Sequence, residues 1–140
     1  MTSLRMLIGM VCMAGLTSLT VAQNAQSAPA AAPPRIAPAE AKSHVGEMAT
    51  VCGKVVGSKI FPKYGVAGRG RPVSFDLDQP EPNPIFYFVT FGAQPGGPEE
   101  AVAAYKDKQV CVTGKINMPK DTPFIMAADR SQIKPQAENK

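Results

Sequence analysis

Val51-Cys52-Gly53-Lys54-Val55 occurs again, in lengthened form, as Val110-Cys111-Val112-Thr113-Gly114-Lys115-Ile116. In both stretches valine, isoleucine and glycine occupy one parity, while cysteine and lysine occupy the other. Because successive side chains of a β-strand point to opposite faces, each stretch predicts a strand with one apolar face. We therefore expect two strands that lie side by side, with both cysteines on the same outer face.

The first 22 residues have the composition of a secretory signal peptide. Arg5 provides a short positive start, an apolar run follows from Met6 to Val21, and Thr20-Val21-Ala22 fits a small-x-small cleavage site. The sequence therefore predicts a periplasmic or secreted protein with no membrane span after cleavage. A retained segment is the alternative, and it would act as a membrane anchor, although its hydroxyl residues weaken a spanning helix.

Two cysteines remain after this cleavage, because Cys12 lies within the signal segment. An even pair of cysteines in an exported chain is typical of a disulfide, so we expect a bond between Cys52 and Cys111. Two free thiols on the strand face are the alternative.

Length and composition predict one folded domain. Residues 23–38, rich in alanine and proline, are predicted to be a disordered linker, residues 39–135 the domain, and residues 136–140 a polar tail. The 15 basic residues exceed the 11 acidic residues only slightly, so net charge by itself indicates no class of partner.

Three further segments have the character of strands. Residues 72–78 alternate between apolar and polar side chains, and residues 123–129 are mainly apolar. Residues 85–91 are apolar on both parities, so their aromatic rings are either covered on both faces or exposed on one face for binding. Residues 98–105 predict a short helix, because proline and two glutamates occupy its first turn.

The predicted order is strand, strand, strand, helix, strand, strand. This is the layout of an OB-fold, an all-β, five-stranded Greek-key barrel with one short helix between strands three and four. The first and fourth strands are neighbours in such a barrel, and here they are the two strands that carry the valine–cysteine pattern. The element order and the pattern therefore support the same fold.

A basic stretch follows the first cysteine. From Gly53 to Phe75 there is no acidic residue, whereas five residues are basic and Phe61 and Tyr64 lie between them. Glycines and prolines predict a long loop here, between strands one and two. Basic and aromatic side chains on such a loop suit single-stranded nucleic acid or another polyanion. A solvated loop without a ligand is the alternative.

Several segments together carry a resemblance to known proteins: His44-Val45-Gly46-Glu47 leading into residues 49–55, then residues 82–86, residues 110–116 and Ser131-Gln132-Ile133. Over about residues 36–135 the chain resembles small exported bacterial OB-fold proteins described as nucleic-acid- or DNA-binding. It also resembles, more distantly, a periplasmic bacterial OB-fold family linked to stress tolerance. The resemblance implies the fold and brings no catalytic residues.

OB-folds bind ligands across strands two and three and at the loops that join strands one to two and four to five. The predicted ligand-binding residues are therefore Lys59, Lys63, Tyr64, Arg69 and Arg71 in the first loop, Tyr87 and Phe88 on strand three, and Lys120 in the second loop. We expect a non-catalytic module that binds single-stranded nucleic acid or another polyanion. The alternative is a periplasmic stress or envelope module that binds a protein, a glycan or a small molecule.

Nothing in the sequence indicates enzymatic chemistry. It has no glycine-rich phosphate loop, no metal-ligand cluster and no nucleophile with an evident base. His44, the single histidine, is assigned a packing or turn role. Asp76, Asp78 and Glu81 lack the glycine and the distal glutamate of a calcium loop. We therefore predict no cofactor, no metal and no catalytic residue.

Overall fold

The computed structural model describes residues 30–65, 67–91 and 97–136. Within them lie, in chain order, the strands and helix β1 (Arg35–Ile36), β2 (Met48–Ile60), β3 (Pro72–Leu77), β4 (Tyr87–Phe91), α1 (Gly97–Tyr105), β5 (Gln109–Asn117), β6 (Phe124–Ala127) and β7 (Ile133–Pro135). Short 3₁₀ helices occupy Pro38–His44 and Arg130–Gln132. In this part of the chain no helix combines the length and apolar character that a membrane crossing needs.

Strands β2 to β6 close a five-stranded barrel. The long strand β2 has two partners: residues 48–54 pair antiparallel with β5, and residues 55–60 pair antiparallel with β3 around a bulge. Strand β4 pairs antiparallel with β3 and parallel with β6, and β6 pairs antiparallel with β5. The predicted all-β OB-fold barrel, with a helix between its third and fourth strands, is confirmed.

The predicted partnership of the two valine–cysteine stretches is also confirmed. Cys52 and Cys111 lie directly opposite each other in the β2–β5 pair and form a disulfide, with an S–S distance of 2.04 Å. Val51 and Val112, on the other parity, are fully buried in the barrel. The alternation of side chains therefore separates a disulfide-bearing outer face from an apolar inner face.

Two glycines allow neighbouring elements to pack closely against the barrel strands. A Cβ atom at Gly114 would lie 2.6 Å from Cγ2 of Ile125 on β6, and one at Gly53 would lie 2.7 Å from Cγ of Pro38. Such distances are too short for a real side chain. Glycine is therefore required where β5 meets β6 and where the first 3₁₀ helix packs on β2.

Aromatic rings fill much of the core. Phe75 of β3 stacks on Phe88 of β4 with a centroid distance of 5.0 Å. Tyr105, at the end of α1, packs edge-on against both rings, at 5.5 Å from Phe75 and 6.3 Å from Phe88. The helix is therefore anchored to the barrel by an aromatic contact with two neighbouring strands.

Two boundaries predicted from sequence are corrected. The linker assigned to residues 23–38 extends too far, because Arg35–Ile36 pairs with β2 and Pro38 is buried. The loop predicted to begin near Gly53 starts only after Ile60, because β2 continues along β3. The predicted signal peptide, and residues 137–140 of the predicted tail, lie outside the described residues.

Candidate nucleic-acid interface

The outer face of β4 and β6 carries half-buried aromatic rings. Along β4 the side chains alternate, so that Phe88 points into the core while Tyr87 and Phe91 point outward and are half-buried. Tyr87 stacks on Phe124 of β6, with a centroid distance of 5.1 Å and 6° between the ring planes. Every second side chain of β4 is thus buried, and the side chains between them form part of the surface.

Two cations lie against rings at one side of this face. Nζ of Lys59 is 5.9 Å from the centroid of the Phe61 ring. The guanidinium carbon of Arg69 is 5.8 Å from the centroid of the Phe91 ring. A cation over an aromatic face is attracted by the negative charge of the π-system. These pairs place positive charge beside the aromatic surface where β2 passes into residues 61–71.

Some of the predicted basic residues already have carboxylate partners. Nζ of Lys59 lies 3.3 Å from Oε1 of Glu81, and Nη2 of Arg71 lies 3.0 Å from Oε1 of Glu99. Exposed ion pairs of this kind contribute little stability and can separate at low cost. The other basic residues of the predicted site make no ion pair with any described residue: Lys63, Arg69 and Lys120.

The strand register places the two predicted loops at opposite ends of β4. Residues 61–71 lead into Pro72, which pairs with Phe91 at one end of the strand. The β5–β6 hairpin, which contains Lys120, leads into Phe124, which pairs with Tyr87 at the other end. A ligand in contact with both loops would therefore cross the whole outer face of β4.

One predicted ligand-binding residue is corrected by its burial. Phe88 is 0% exposed and stacks within the core, so its ring cannot contact a ligand at the surface. Its neighbour Tyr87 lies on the outer face instead. Tyr64 is 69% exposed and lies edge-on to Phe61, with a centroid distance of 6.4 Å. Of the three aromatic residues predicted to bind a ligand, Tyr64 and Tyr87 are therefore accessible and Phe88 is not.

A cleft of about 230 Å³ opens beside Tyr87 and is lined in part by Lys59, Phe61, Asp76 and Glu81. Oδ2 of Asp76 accepts a hydrogen bond of 3.3 Å from the backbone N–H of Glu81. Burial raises the pKa of the Asp76 carboxyl, and the hydrogen bond from the Glu81 backbone offsets part of this rise. Burial, followed by the charge of Asp76, also raises the pKa of Tyr87, so this phenol keeps its proton and can donate it in a hydrogen bond.

We expect Asp76→Asn to change how stability depends on pH. Because burial raises the pKa of Asp76 above 3.8 in the folded state, the native protein retains this proton to higher pH than the unfolded chain. The associated stability is fully present below the unfolded pKa and is lost as the pH rises through the folded pKa. Urea denaturation between about pH 3 and about pH 7 should show wild type gaining stability relative to the variant as pH falls. The same pH dependence in both proteins would contradict this role.

Two residues that the sequence did not predict to bind a ligand, Phe91 and Phe124, also belong to the aromatic surface. Phe91 shares the parity of Tyr87 along β4, so strand alternation was a signal that could have identified it. Phe124 joins the surface only because β6 pairs with β4 in this register, which sequence spacing does not specify. Among the described residues, no group of three or more His, Cys, Asp or Glu side chains is arranged to hold a metal ion.

The topology defines the chain as an OB-fold barrel, and comparisons with known proteins add no family to this class. No family model matches the chain, and no curated protein matches it. A solved structure from Leishmania major Friedlin, described as an aspartyl-tRNA synthetase, aligns with 80% of this chain and 21% of its own, at 13% identity and a TM-score of 0.38. Similarity at that level supports no functional argument, so the resemblance to exported bacterial OB-fold proteins stays a prediction.

Proposed function

We propose that this protein is a non-catalytic OB-fold module that binds single-stranded nucleic acid across the outer face of β3, β4 and β6. The observation that carries the proposal is the stacked, nearly parallel ring pair Tyr87–Phe124, on the same outer face as the cation-bearing rings Phe61 and Phe91. Flat aromatic surfaces stack on bases of any sequence, and adjacent cations neutralise phosphates. OB-folds use this face for oligonucleotides.

The charge available for phosphate contacts is modest. Lys59 and Arg71 would first have to leave their carboxylate partners, so the contacts fall mainly to the three basic residues that have no ion pair in the described chain. Each contact to a single strand contributes about −0.7 to the slope of log affinity against log salt concentration. We therefore expect a slope of about −2 for this protein.

Tyr87→Ala is expected to weaken binding of a fluorescent oligothymidine of about 12 nucleotides by at least about fivefold, because stacking is worth about 1–3 kcal/mol per base.

The double variant Lys63→Gln/Arg69→Gln should reduce the steepness of the salt dependence by about 1.4, since it removes two phosphate contacts. Fluorescence anisotropy across a salt series measures both effects.

Lys108→Gln is the matched control for the loss of charge. Lys108 is exposed and precedes β5, at the end of that strand opposite to Asn117, which pairs with Phe124 of the aromatic face. The control should bind the oligonucleotide as wild type does. Absence of wild-type binding at low salt, or unchanged affinity in Tyr87→Ala, would refute the proposed function.

The cleft beside Tyr87 favours a second candidate ligand, a glycan. The carboxylates of Asp76 and Glu81 repel phosphate but accept hydrogen bonds from sugar hydroxyls, and aromatic rings pack against sugar rings. OB-folds also bind oligosaccharides. Binding of a neutral oligosaccharide would be insensitive to salt and weakened by Asp76→Asn, whereas oligonucleotide binding would show the reverse pattern.

We also propose that the protein acts in the periplasm or outside the cell. The disulfide between Cys52 and Cys111 supports this location, because such bonds persist in oxidising compartments. The signal-like composition of the first 22 residues supports it independently. Fractionation of expressing cells tests the proposal, and recovery of the protein in the cytoplasm with reduced cysteines would refute it.

A further inference from the structure

A larger cleft lies on a different part of the surface, over the disulfide. Its volume is about 390 Å³, compared with about 230 Å³ for the cleft beside Tyr87. The residues that line it are Ala32, Pro33, Arg35, Thr50, Cys111, Thr113, Lys134 and Gln136. These residues belong to β1, β2, β5, β7 and the segments that flank them, so this cleft shares no lining residue with the aromatic face.

The strand register explains how two cations come to border one cleft. Arg35 of β1 lies beside Thr50 of β2, and Lys134 of β7 lies beside Cys111 of β5. Paired residues of neighbouring strands project to the same side of a sheet. The side chains of Arg35 on β1 and Lys134 on β7 therefore lie on either side of the surface formed by the paired strands β2 and β5.

The charged side chains of this cleft, Arg35 and Lys134, are both hydrogen-bond donors. Nη2 of Arg35 lies 3.2 Å from Sγ of Cys111 and 3.4 Å from Sγ of Cys52, and sulfur is a weak acceptor. The hydroxyls of Thr50 and Thr113 are 2.8 Å apart, so one donates to the other and the second proton stays available. None of the described lining residues is acidic, and neither cation makes an ion pair within the described chain.

We propose that this cleft binds a small organic anion through a phosphate or carboxylate group held between Arg35 and Lys134. A guanidinium presents its N–H groups as a fork that matches the oxygens of either anion, and an ammonium adds a second charge-assisted contact. The free threonine proton supplies a further donor from the surface of β2 and β5. The apolar part of the ligand lies against Pro33, Ala32 and the disulfide, because the cleft is larger than an inorganic ion requires.

The binding of three probes by the purified oxidised protein tests this proposal: inorganic phosphate, phenyl phosphate and benzoate, each titrated in an NMR or calorimetric experiment. Phenyl phosphate and benzoate separate the two possible anionic groups, and inorganic phosphate shows what the apolar part contributes. Arg35→Gln and Lys134→Gln should each lower the affinity for whichever organic probe binds by about tenfold, since each removes a charge-assisted hydrogen bond. Lys106→Gln, which removes the same charge just after α1, an element that contributes no residue to the cleft, should leave the affinity unchanged.

The double variant Thr50→Val/Thr113→Val provides a second test: it keeps both charges, removes both hydroxyl donors and should weaken binding of the same probe by a smaller factor. Non-reducing mass spectrometry of each variant confirms that the disulfide is intact, so that a loss of binding reports on the cleft. Saturable binding that Arg35→Gln, Lys134→Gln and the threonine double variant all weaken supports the proposal. Three results would overturn it: no saturable binding of any probe, equal weakening by Lys106→Gln, or displacement of the probe by oligothymidine with loss of oligothymidine binding in Arg35→Gln.

Discussion

The double variant Cys52→Ala/Cys111→Ala is expected to lose up to about 4 kcal/mol of its free energy of unfolding. The disulfide joins residues separated by 59 positions, and it therefore restricts a large part of the unfolded chain. In the folded state it links β2 to β5, the two strands whose pairing closes the barrel. Urea denaturation of the oxidised wild type and the double variant measures the difference.

A control separates the covalent bond from ordinary contacts between the same two strands. Thr50 and Thr113 form the neighbouring cross-strand pair and share a hydrogen bond of 2.8 Å. Replacing both by alanine should cost only about 1 kcal/mol or less, as is typical of cross-strand pairs. If the cysteine and threonine double variants were equally stable, the disulfide would not be a main source of barrel stability.

Phe88→Ala is expected to destabilise the fold by about 3–5 kcal/mol, because it leaves a cavity in a core that cannot collapse completely. The ring is 0% exposed and contacts Phe75 of β3 and Tyr105 of α1. The loss therefore affects the barrel wall and the attachment of the helix together. Thermal and urea denaturation provide the measurement.

Tyr87→Ala is the matched control, because it removes a ring of similar size from the adjacent residue on the opposite face of β4. Tyr87 is half-buried, so its removal should cost distinctly less stability than removal of Phe88. Ligand binding should show the opposite order, with the larger loss in Tyr87→Ala. A Phe88→Ala protein that is fully stable but fails to bind oligonucleotide would restore Phe88 to the site and contradict the assigned faces.

Strand alternation made much of the barrel predictable. The alternation of side chains in the valine–cysteine stretches separates inner from outer positions, and it places Cys52 and Cys111 on one face. Pro98 and the two glutamates that follow it predicted α1, because these residues favour the first turn of a helix. These inferences succeeded because the responsible interactions act within one strand or one helical turn.

The candidate site was predictable only in part. Composition identified the basic character of residues 61–71, but it assigned Lys59 to a loop because the pairing of β2 with β3 is not visible in the sequence. Parity separated Tyr87 from Phe88 without showing which of them faces the core. The ion pairs that occupy Lys59 and Arg71 depend on glutamates from other parts of the chain.

The sequence by itself determined which side chains share a strand face, where α1 forms and that Cys52 and Cys111 lie on matching faces of their strands. Only the tertiary structure decided that two- and three-residue segments become β1 and β7, since strands so short exist only where a neighbouring edge provides hydrogen bonds. The same closure brings Arg35 and Lys134, from opposite ends of the domain, to one cleft. Local periodicity is set by backbone geometry, whereas these long-range contacts depend on how the sheet closes on itself.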